Sequence, residues 1–449
     1  MRIDELAITN FDGFDQRTFR FNPKFTLLAG DNATGKTSVL NALAIAAGSW
    51  FLGLHGSEKG PGIDLDEVRV AAYTHLDTWT FEKQFPTRIE CTGIVMGQGI
   101  RWARELKREG GRTTTSDAKA ISDVAADAER RVRAGEDITL PLICVYGTER
   151  LWFEKAHYIR KAGAEATRSK PSRLDGYHDS FDFTIQETAL IDWIRDQTTA
   201  SLQLGKDTVA LSVVKSAIVA CVEGAASVYY DPRYGDLVVL TDHSGPQLLS
   251  NLSDGQRIML TLVGDLARRV AILNPHLANA VLRETAGVVT IDELDLHLHP
   301  KWQRRIILDL KTTFPALQFI ATTHSPQLIG EAHPEEVRLL DGGQTTTPAR
   351  SFGIDSSRVL EEVMGTGSRN DSVENLLTRL FRAIDDEQFE SARQTLSQVE
   401  AQLGADDPEV TRARSLMTFL ESKVRYEDDS EACGTEQSYR ASSRSGCGL

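Results

Sequence analysis

The sequence predicts an α/β fold: a mixed, largely parallel β-sheet flanked by helices, with an α+β insertion and a C-terminal helical appendage. Short apolar runs that alternate with segments of helical length predict the sheet. A change to amphipathic helical patterns after residue 351 predicts the appendage. The chain of 449 residues is long enough for about three structural units, each with its own core.

The composition is that of an ordinary soluble globular protein, with 41% hydrophobic and 25% charged residues. The formal net charge of −14 argues against a protein that coats nucleic acid with its whole surface. The five cysteines are scattered without a C-x-x-C pair, so neither a zinc ribbon nor a disulfide framework is indicated. Asp4 and Glu5 stand where a signal peptide would be apolar, so a cytoplasmic protein without a membrane segment is expected.

The first lobe is predicted to cover residues 1–55. Its short apolar runs favour strands, and FTLLA is expected to be a buried strand. The Gly-rich turn that follows opens an apolar stretch of helical length. This order predicts a strand, a loop and a helix.

Residues 56–224 are expected to form an insertion that is partly helical. A β-like piece lies at TRIECTGIVMG, a helical pattern at SDAKAISDVAADAERRVRAG, and a buried strand at LPLICVYG. Two further helices are expected near 186–203 and 207–224. No heptad pattern is sustained, so a long coiled-coil arm is not expected.

A basic run at 150–173 stands out in this acidic chain. It predicts either a solvated face or a surface for DNA or phosphate. The residues proposed for such a surface are Arg150, Lys155, Arg160 and Lys161.

The second lobe is predicted at residues 225–345. VYYDPRYGDLVVL suggests a hairpin, and AGVVTIDEL, LQFIATTHS and EEVRLLDGG each place an apolar run before polar residues. WQRRIILDLKTTF is expected to be a crossover helix. Residues 346–426 form the predicted helical appendage, and the polar tail 427–449 is expected to be mobile.

The strongest chemical signal is a complete G-x-x-x-x-G-K-[ST] phosphate loop between a strand and a helix. Its backbone N–H groups and the helix dipole favour phosphate. Lys36 is expected to reach the β- and γ-phosphates, and Thr37 to face Mg²⁺. The residues predicted to bind the nucleotide here are Gly30, Asp31, Asn32, Ala33, Thr34, Gly35, Lys36, Thr37 and Ser38.

Two consecutive carboxylates, Asp292 and Glu293, end the run VVTIDE. In phosphoryl transfer, one acid can hold the Mg²⁺ shell while the next polarises the attacking water. The alternative is that the acidic pair merely caps a strand. The phosphate loop in the same chain favours the catalytic interpretation.

Two weaker patterns complete the set. Leu252-Ser253-Asp254-Gly255-Gln256-Arg257 precedes a helix, where Ser253, Gly255 and Gln256 would form a second anion site or a simple helix cap. Thr322-Thr323-His324-Ser325 follows a strand, where His324 would donate to the γ-phosphate. A lone histidine at a strand end is usually satisfied locally, so this role depends on the other motifs.

In this order, GDNATGKT, LSDGQR, VVTIDEL, Asp295 with HLHP, and TTHS resemble the motifs of ABC-type ATPases of the SMC-like branch. The resemblance covers the discontinuous head, about residues 1–55 and 225–345. It implies an ABC-type ATPase head with Walker A at the phosphate loop, Walker B Asp292, catalytic Glu293 and switch His324. It also implies a signature at Ser253 and Gly255, a D-loop Asp295 at a dimer interface, and two heads that sandwich two ATP molecules. Gln84 and Gln98 are poor candidates for the Q-loop glutamine.

Within this branch, DELDLHLHPKWQRRIILDL and the tail SFGIDSSRVLEEVMG are similar to the PtuA-type ATPases of Septu systems in anti-phage defence. That resemblance implies an HNH nuclease subunit, PtuB, as partner, and leaves DNA or a retron nucleic acid open as a further one. OLD nucleases add a carboxylate-rich Toprim domain, which the helical C-terminal pattern does not match. An intrinsic nuclease is therefore not expected.

Two other hypotheses remain. A RecF- or SMC-like clamp would show ATP-gated DNA binding without a nuclease partner. His297 and His299 beside the acidic residues suggest a metal cluster, but their spacing differs from that of H-E-x-x-H, and Pro300 indicates the start of a helix.

Overall fold

The structure is a computed structural model that describes residues 1–55, 59–75, 78–148, 172–182, 187–242, 245–341, 343–367 and 369–422. The chain divides into two compact units, and the second begins at Gly365. The sequence placed this boundary at residue 346 instead. The difference arises because residues 351–364 pack on the first unit: the N–H of Gly353 bonds to the carbonyl of Gly330, and Val359 is fully buried.

The first unit contains fifteen strands within the described residues, and their bounds follow. They are β1 (Arg2–Phe11), β2 (Phe14–Arg20), β3 (Phe25–Gly30), β4 (Val70–His75), β5 (Thr78–Lys83), β6 (Thr87–Val95), β7 (Gln98–Leu106), β8 (Leu142–Tyr146), β9 (Ala225–Asp231), β10 (Asp236–Thr241), β11 (Gly245–Leu248), β12 (Gly287–Ile291), β13 (Leu317–Thr323), β14 (Val337–Asp341) and β15 (Gln344–Thr346).

Helices lie between and after these strands. They are α1 (Lys36–Ala47), α2 (Lys119–Arg133), α3 (Glu187–Leu204), α4 (Val209–Cys221), α5 (Asp254–Leu273), α6 (Pro300–Thr313), α7 (Pro326–Glu331), α8 (Asp371–Asp385), α9 (Phe389–Leu403) and α10 (408–422), with single turns at Val281–Glu284 and Ser356–Arg358.

A six-stranded sheet in the order β15-β14-β3-β13-β12-β8 forms the centre of the first unit. Only the β14–β15 pair is antiparallel. Every residue of β8, β12 and β13 is buried, as expected for parallel strands that are covered on both faces. The predicted mixed, largely parallel sheet and its flanking helices are confirmed.

The first unit also contains an antiparallel sheet of order β2-β1-β6-β7, a three-stranded sheet, β11-β10-β9, and a two-stranded ribbon, β4-β5. Strand β6 pairs with β1, and β8 pairs with β12 of the central sheet. The lobe boundary expected at residue 56 therefore does not divide the structure, because strands from both sides of it pair in the same sheets. The alternating burial of β6 explains the pairing, because one of its faces covers the core.

The C-terminal unit contains α8, α9 and α10 around a small core of its own. The expected amphipathic helices in this region are confirmed, except at VLEEVM. Residues Val359–Val363 form a single π-helical turn in the first unit.

Several expectations fall on residues outside the described ranges: the basic surface of Arg150, Lys155, Arg160 and Lys161, and the tail 427–449. Arg173, the last residue of the basic run, is described. Its guanidinium donates to the carbonyls of Leu273, Glu136 and Ile138, which is a structural role.

Cys91, Cys144 and Cys221 are buried free thiols, and burial raises the pKa of each. Within the described ranges, no helix is both long and apolar enough to cross a membrane.

Candidate nucleotide-binding site

The phosphate loop connects the end of β3 to the first residue of α1. Gly30 has φ +147° and Gly35 has φ +87°. A Cβ on Gly30 would lie 2.3 Å from the carbonyl oxygen of Leu340, and one on Gly35 would lie 2.4 Å from Cζ of Phe14. Only glycine therefore fits at either position, which explains the two fixed glycines of the motif.

Lys36 begins α1 and is only 7% exposed. Its Nζ donates hydrogen bonds to the carbonyl oxygens of Gly30 (2.9 Å) and Asp31 (2.7 Å), inside its own loop. Burial lowers the pKa of Lys36, while the charges of Asp292, Asp31, Glu293 and Asp295 raise it. The lysine thus lies among the acidic residues that the motifs predict.

Thr37 and Asp292 join the phosphate loop to the end of β12. The Thr37 hydroxyl donates to Oδ2 of Asp292 over 3.1 Å. Oδ1 of the same carboxylate accepts from Thr322 over 2.5 Å, and the Asp292 N–H bonds to the carbonyl of Tyr146 over 2.8 Å. A hydroxyl and a carboxylate side by side are the hard oxygen donors that Mg²⁺ prefers, so the donor set fits this ion.

Glu293 directly follows, with a backbone φ of +46° in the left-handed region. Its N–H donates to the Thr322 hydroxyl over 2.7 Å. The next N–H, that of Leu294, donates to the Thr322 carbonyl over 2.9 Å. The sharp turn after Asp292 is thereby fastened to the end of β13.

His324 follows β13 and is half-buried, with no hydrogen bond to the part of the chain that the structure describes. Its neighbour Thr323 donates to Asp295 over 2.5 Å and accepts the N–H of Ser325 over 2.9 Å. Ser325 caps α7 and donates to Gln303 over 2.7 Å. The predicted switch histidine and D-loop aspartate are therefore close in the fold.

Ser253 is exposed at the amino terminus of α5, where a capping box joins it to Gln256. The Ser253 hydroxyl and N–H bond to Gln256, and the Ser253 carbonyl accepts the N–H of Arg257, so the predicted signature contacts its own helix. A Cβ on Gly255 would lie 2.9 Å from the carbonyl oxygen of His297. The signature therefore packs on the segment that follows Walker B.

The described residues contain no group of three His, Cys, Asp or Glu side chains placed to hold a metal ion. Nδ1 of His299 accepts the N–H of Lys301 and caps α6, which begins at Pro300 as the sequence indicated.

The two glutamines considered for a Q-loop lie as follows. Gln84 donates to the carbonyl of Glu82, and Gln98 starts β7 opposite Val95.

Sequence reasoning missed three residues of this region: Thr322, Tyr146 and Asp12. Thr322 lies in the quoted TTHS motif, but its two partners are known only from the fold. Burial raises the pKa of Asp12, and a hydrogen bond from Ser38 of α1 opposes that rise. Asp12 carries no motif that would have marked it.

Two family models match the chain: "AAA domain" at residues 5–203, and "AAA domain, putative AbiEii toxin, Type IV TA system" at residues 235–330. The chain is similar to the retron Ec83 probable ATPase of Escherichia coli, with 25% identity over 96% of this chain and 88% of that protein. It is also similar to the Septu protein PtuA of Bacillus thuringiensis, with 26% identity over 38% of this chain and 46% of that protein. The SMC head domain from Thermotoga maritima matches with 16% identity and a TM-score of 0.43, over 77% of this chain and 98% of that one.

Proposed function

We propose that this chain binds and hydrolyses Mg·ATP to regulate a nuclease partner in anti-phage defence. Its match to an AAA-domain model and its similarity to the retron Ec83 probable ATPase and to the Septu protein PtuA support this proposal. The observation that carries the proposal is the hydrogen bond from Thr37 to Asp292. It places the last residue of the phosphate loop against the first acid of VVTIDE, as an ABC-type nucleotide site requires.

In the proposed site, the loop N–H groups and Lys36 bind the phosphates, and Thr37 and Asp292 hold Mg²⁺. The ion neutralises phosphate charge when it is bound. Glu293 accepts a proton from the attacking water, and His324 donates to the γ-phosphate. Lys36 must then leave the carbonyls of Gly30 and Asp31, which its flexible stem permits.

Ser253 and Gly255 are proposed to act on the nucleotide of a second copy, in an ATP-sandwich homodimer. The exposed position of Ser253 and the contact of Gly255 with the His297 carbonyl support this arrangement. Both observations support a common surface for the proposed signature and the proposed D-loop segment. Asp295 would lie in the dimer interface.

The nuclease partner is expected to be an HNH subunit like PtuB, on the resemblance to PtuA-type ATPases. We place its docking surface on the acidic C-terminal unit. Among the described residues, arginines already pair with Glu390, Glu400, Asp407 and Glu409. The last residue of α8, Asp385, and the turn after it, with Asp386 and Glu387, carry three further exposed acids, which suit a basic partner.

The test is to recover the tagged protein from its native operon, with and without ATP, and to identify the proteins that co-purify by mass spectrometry. Recovery of a small HNH protein supports the proposal. Loss of that protein from the Asp385→Lys/Asp386→Lys variant, but not from an Asp66→Lys/Asp123→Lys control, supports the docking surface. Recovery of DNA alone, with DNA-stimulated ATP turnover, would instead support the RecF- or SMC-like clamp.

A further inference from the structure

Two consecutive threonines at the end of β13 make matching sets of hydrogen bonds. The hydroxyl of Thr322 donates to Asp292 and accepts the N–H of Glu293. The hydroxyl of Thr323 donates to Asp295 and accepts the N–H of Ser325. Each hydroxyl therefore links a carboxylate of the Walker B segment to a backbone N–H.

Both threonines are fully buried. A hydroxyl has a single proton, and here that proton goes to a carboxylate while a lone pair takes the N–H. With both capacities used and water excluded, each side chain has one satisfied orientation. The pair therefore fixes the segment 292–295 against the strand that leads to His324.

The position of Glu293 depends most directly on this arrangement. Its backbone φ of +46° is unusual for a residue with a side chain, and such conformations persist only where the surroundings impose them. The Thr322 hydroxyl holds the N–H of Glu293 and the carboxylate of Asp292 at once. Loss of this hydroxyl would remove both bonds and loosen the turn at Glu293, while the bond from the Leu294 N–H to the Thr322 carbonyl would remain.

We propose that Thr322 and Thr323 are positioning residues with separate tasks. Thr322 sets Asp292 and Glu293 for hydrolysis in the chain's own site, and Thr323 sets Asp295 for contact with the second copy. The inference rests on the proposed ATPase function. It adds that two adjacent hydroxyls on β13 have different roles. One positions the carboxylates that act in hydrolysis, and the other positions the carboxylate that contacts the second copy.

The chain offers a matched control. Thr290 lies on β12, two residues before Asp292, and is 3% exposed. Its hydroxyl has no hydrogen-bond partner within the described residues. Thr290→Val therefore makes the same substitution beside the site without removing a bond.

The experiment measures kcat, KM and the dissociation constant for ATP of Thr322→Val, Thr322→Ser and Thr290→Val. We expect Thr322→Val to lower kcat by about 10- to 100-fold, with ATP affinity changed less than about twofold. Thr322→Ser should recover most of the rate, and Thr290→Val should match the parent. Thr322→Ala supplies the same comparison if the valine variant does not fold.

A double variant tests whether Thr322 acts through Glu293. If it does, Thr322→Val should add no further loss of rate to Glu293→Gln. Independent multiplication of the two losses would overturn the inference, as would a Thr322→Val rate equal to that of Thr290→Val. A Glu293→Gln variant with the parent rate would instead overturn the proposed function itself.

Thr323→Val tests the second task. We expect the variant to reach half-maximal ATP turnover only at a protein concentration at least about fivefold higher than the parent needs. At saturating protein concentration its turnover should be close to that of the parent. Thr323→Ser should restore the parent dependence. A loss of rate that no protein concentration restores would contradict the separate role of Thr323.

Discussion

The hydroxyl of Thr37 donates a hydrogen bond of 3.1 Å to Asp292, although the two residues are 255 positions apart. The bond joins the first turn of α1 to the end of β12. Since β3 and β12 both pair with β13 in the parallel sheet, their carboxyl ends meet at one edge. The sheet topology thereby turns two distant motifs into one site.

Lys36→Ala is expected to lower ATP affinity at least about tenfold, because the phosphate loop loses its cation. Isothermal titration with Mg·ATP measures the change. Lys215→Ala is the control, since Lys215 lies on α4 and its ammonium pairs with Asp207, which is not a residue of the phosphate loop. Equal affinities of the two variants would refute the role of Lys36.

Glu293→Gln should retain ATP binding and lose hydrolysis by about 100-fold or more, because glutamine keeps the shape of the side chain but cannot take a proton from water. Phosphate release and nucleotide binding are measured on the same preparation. Hydrolysis at the parent rate would show that another group activates the water.

Gly35→Ala should destabilise the protein and weaken ATP binding. The left-handed φ costs roughly 1–2 kcal/mol, and the added Cβ also meets the Phe14 ring. Gly97→Ala is the control for φ alone, since Gly97 has φ +80° and nothing within 4 Å. Chemical denaturation should therefore show a larger loss for Gly35→Ala, and Phe14→Leu should restore part of it.

Asp265→Asn should destabilise the fold by about 3–5 kcal/mol, because it leaves the buried Arg269 and the half-buried Arg268 without their carboxylate. Asp265 accepts from Arg268 (2.6 Å), Arg269 (2.7 Å) and the hydroxyl of Tyr146 (2.8 Å). Although burial opposes ionisation, the two guanidinium groups hold the pKa of Asp265 well below its usual range.

Denaturant unfolding of Asp265→Asn and of Asp207→Asn compares this buried network with a surface pair. Asp207 pairs with Lys215, and its side chain is 45% exposed, so its loss should cost less than about 1 kcal/mol. Equal midpoints for the two variants would contradict the prediction.

The contribution of Glu67 to the free energy of unfolding should fall as pH rises from about 4.5 to about 7. Burial raises the pKa of Glu67 to about 7, against the hydrogen bond from the Asp64 backbone. The folded state therefore holds a proton that the unfolded state has released, so this contribution is complete below pH 4.5 and lost as pH rises through 7.

Glu67→Gln should remove that pH dependence, because glutamine is neutral throughout. The free energy of unfolding at about pH 5 and about pH 8 measures it, with the exposed Glu82→Gln as control. If the free energy of unfolding decreases with pH equally in the parent, Glu67→Gln and Glu82→Gln proteins, Glu67 is not the source of the decrease.

Most motifs of the candidate site could be recognised in the sequence because their signals are local. A strand end or a tight loop is indicated without reference to distant residues by each of three features: the apolar run of β3, the glycines at 30 and 35, and the acids after β12. Pairing of β6 with β1 and of β8 with β12 is non-local, so the lobe boundaries could not be predicted. Likewise, a threonine such as Thr322 becomes informative only when its partners are placed around it.

The most direct test of the account is sedimentation velocity of the Glu293→Gln protein with and without Mg·ATP. We predict that ATP doubles the mass of the assembly. The second substitution Ser253→Arg should abolish this change without loss of ATP binding. A Glu293→Gln protein that binds ATP and keeps its size, or a Ser253→Arg variant that still doubles, would contradict the ATP-sandwich account.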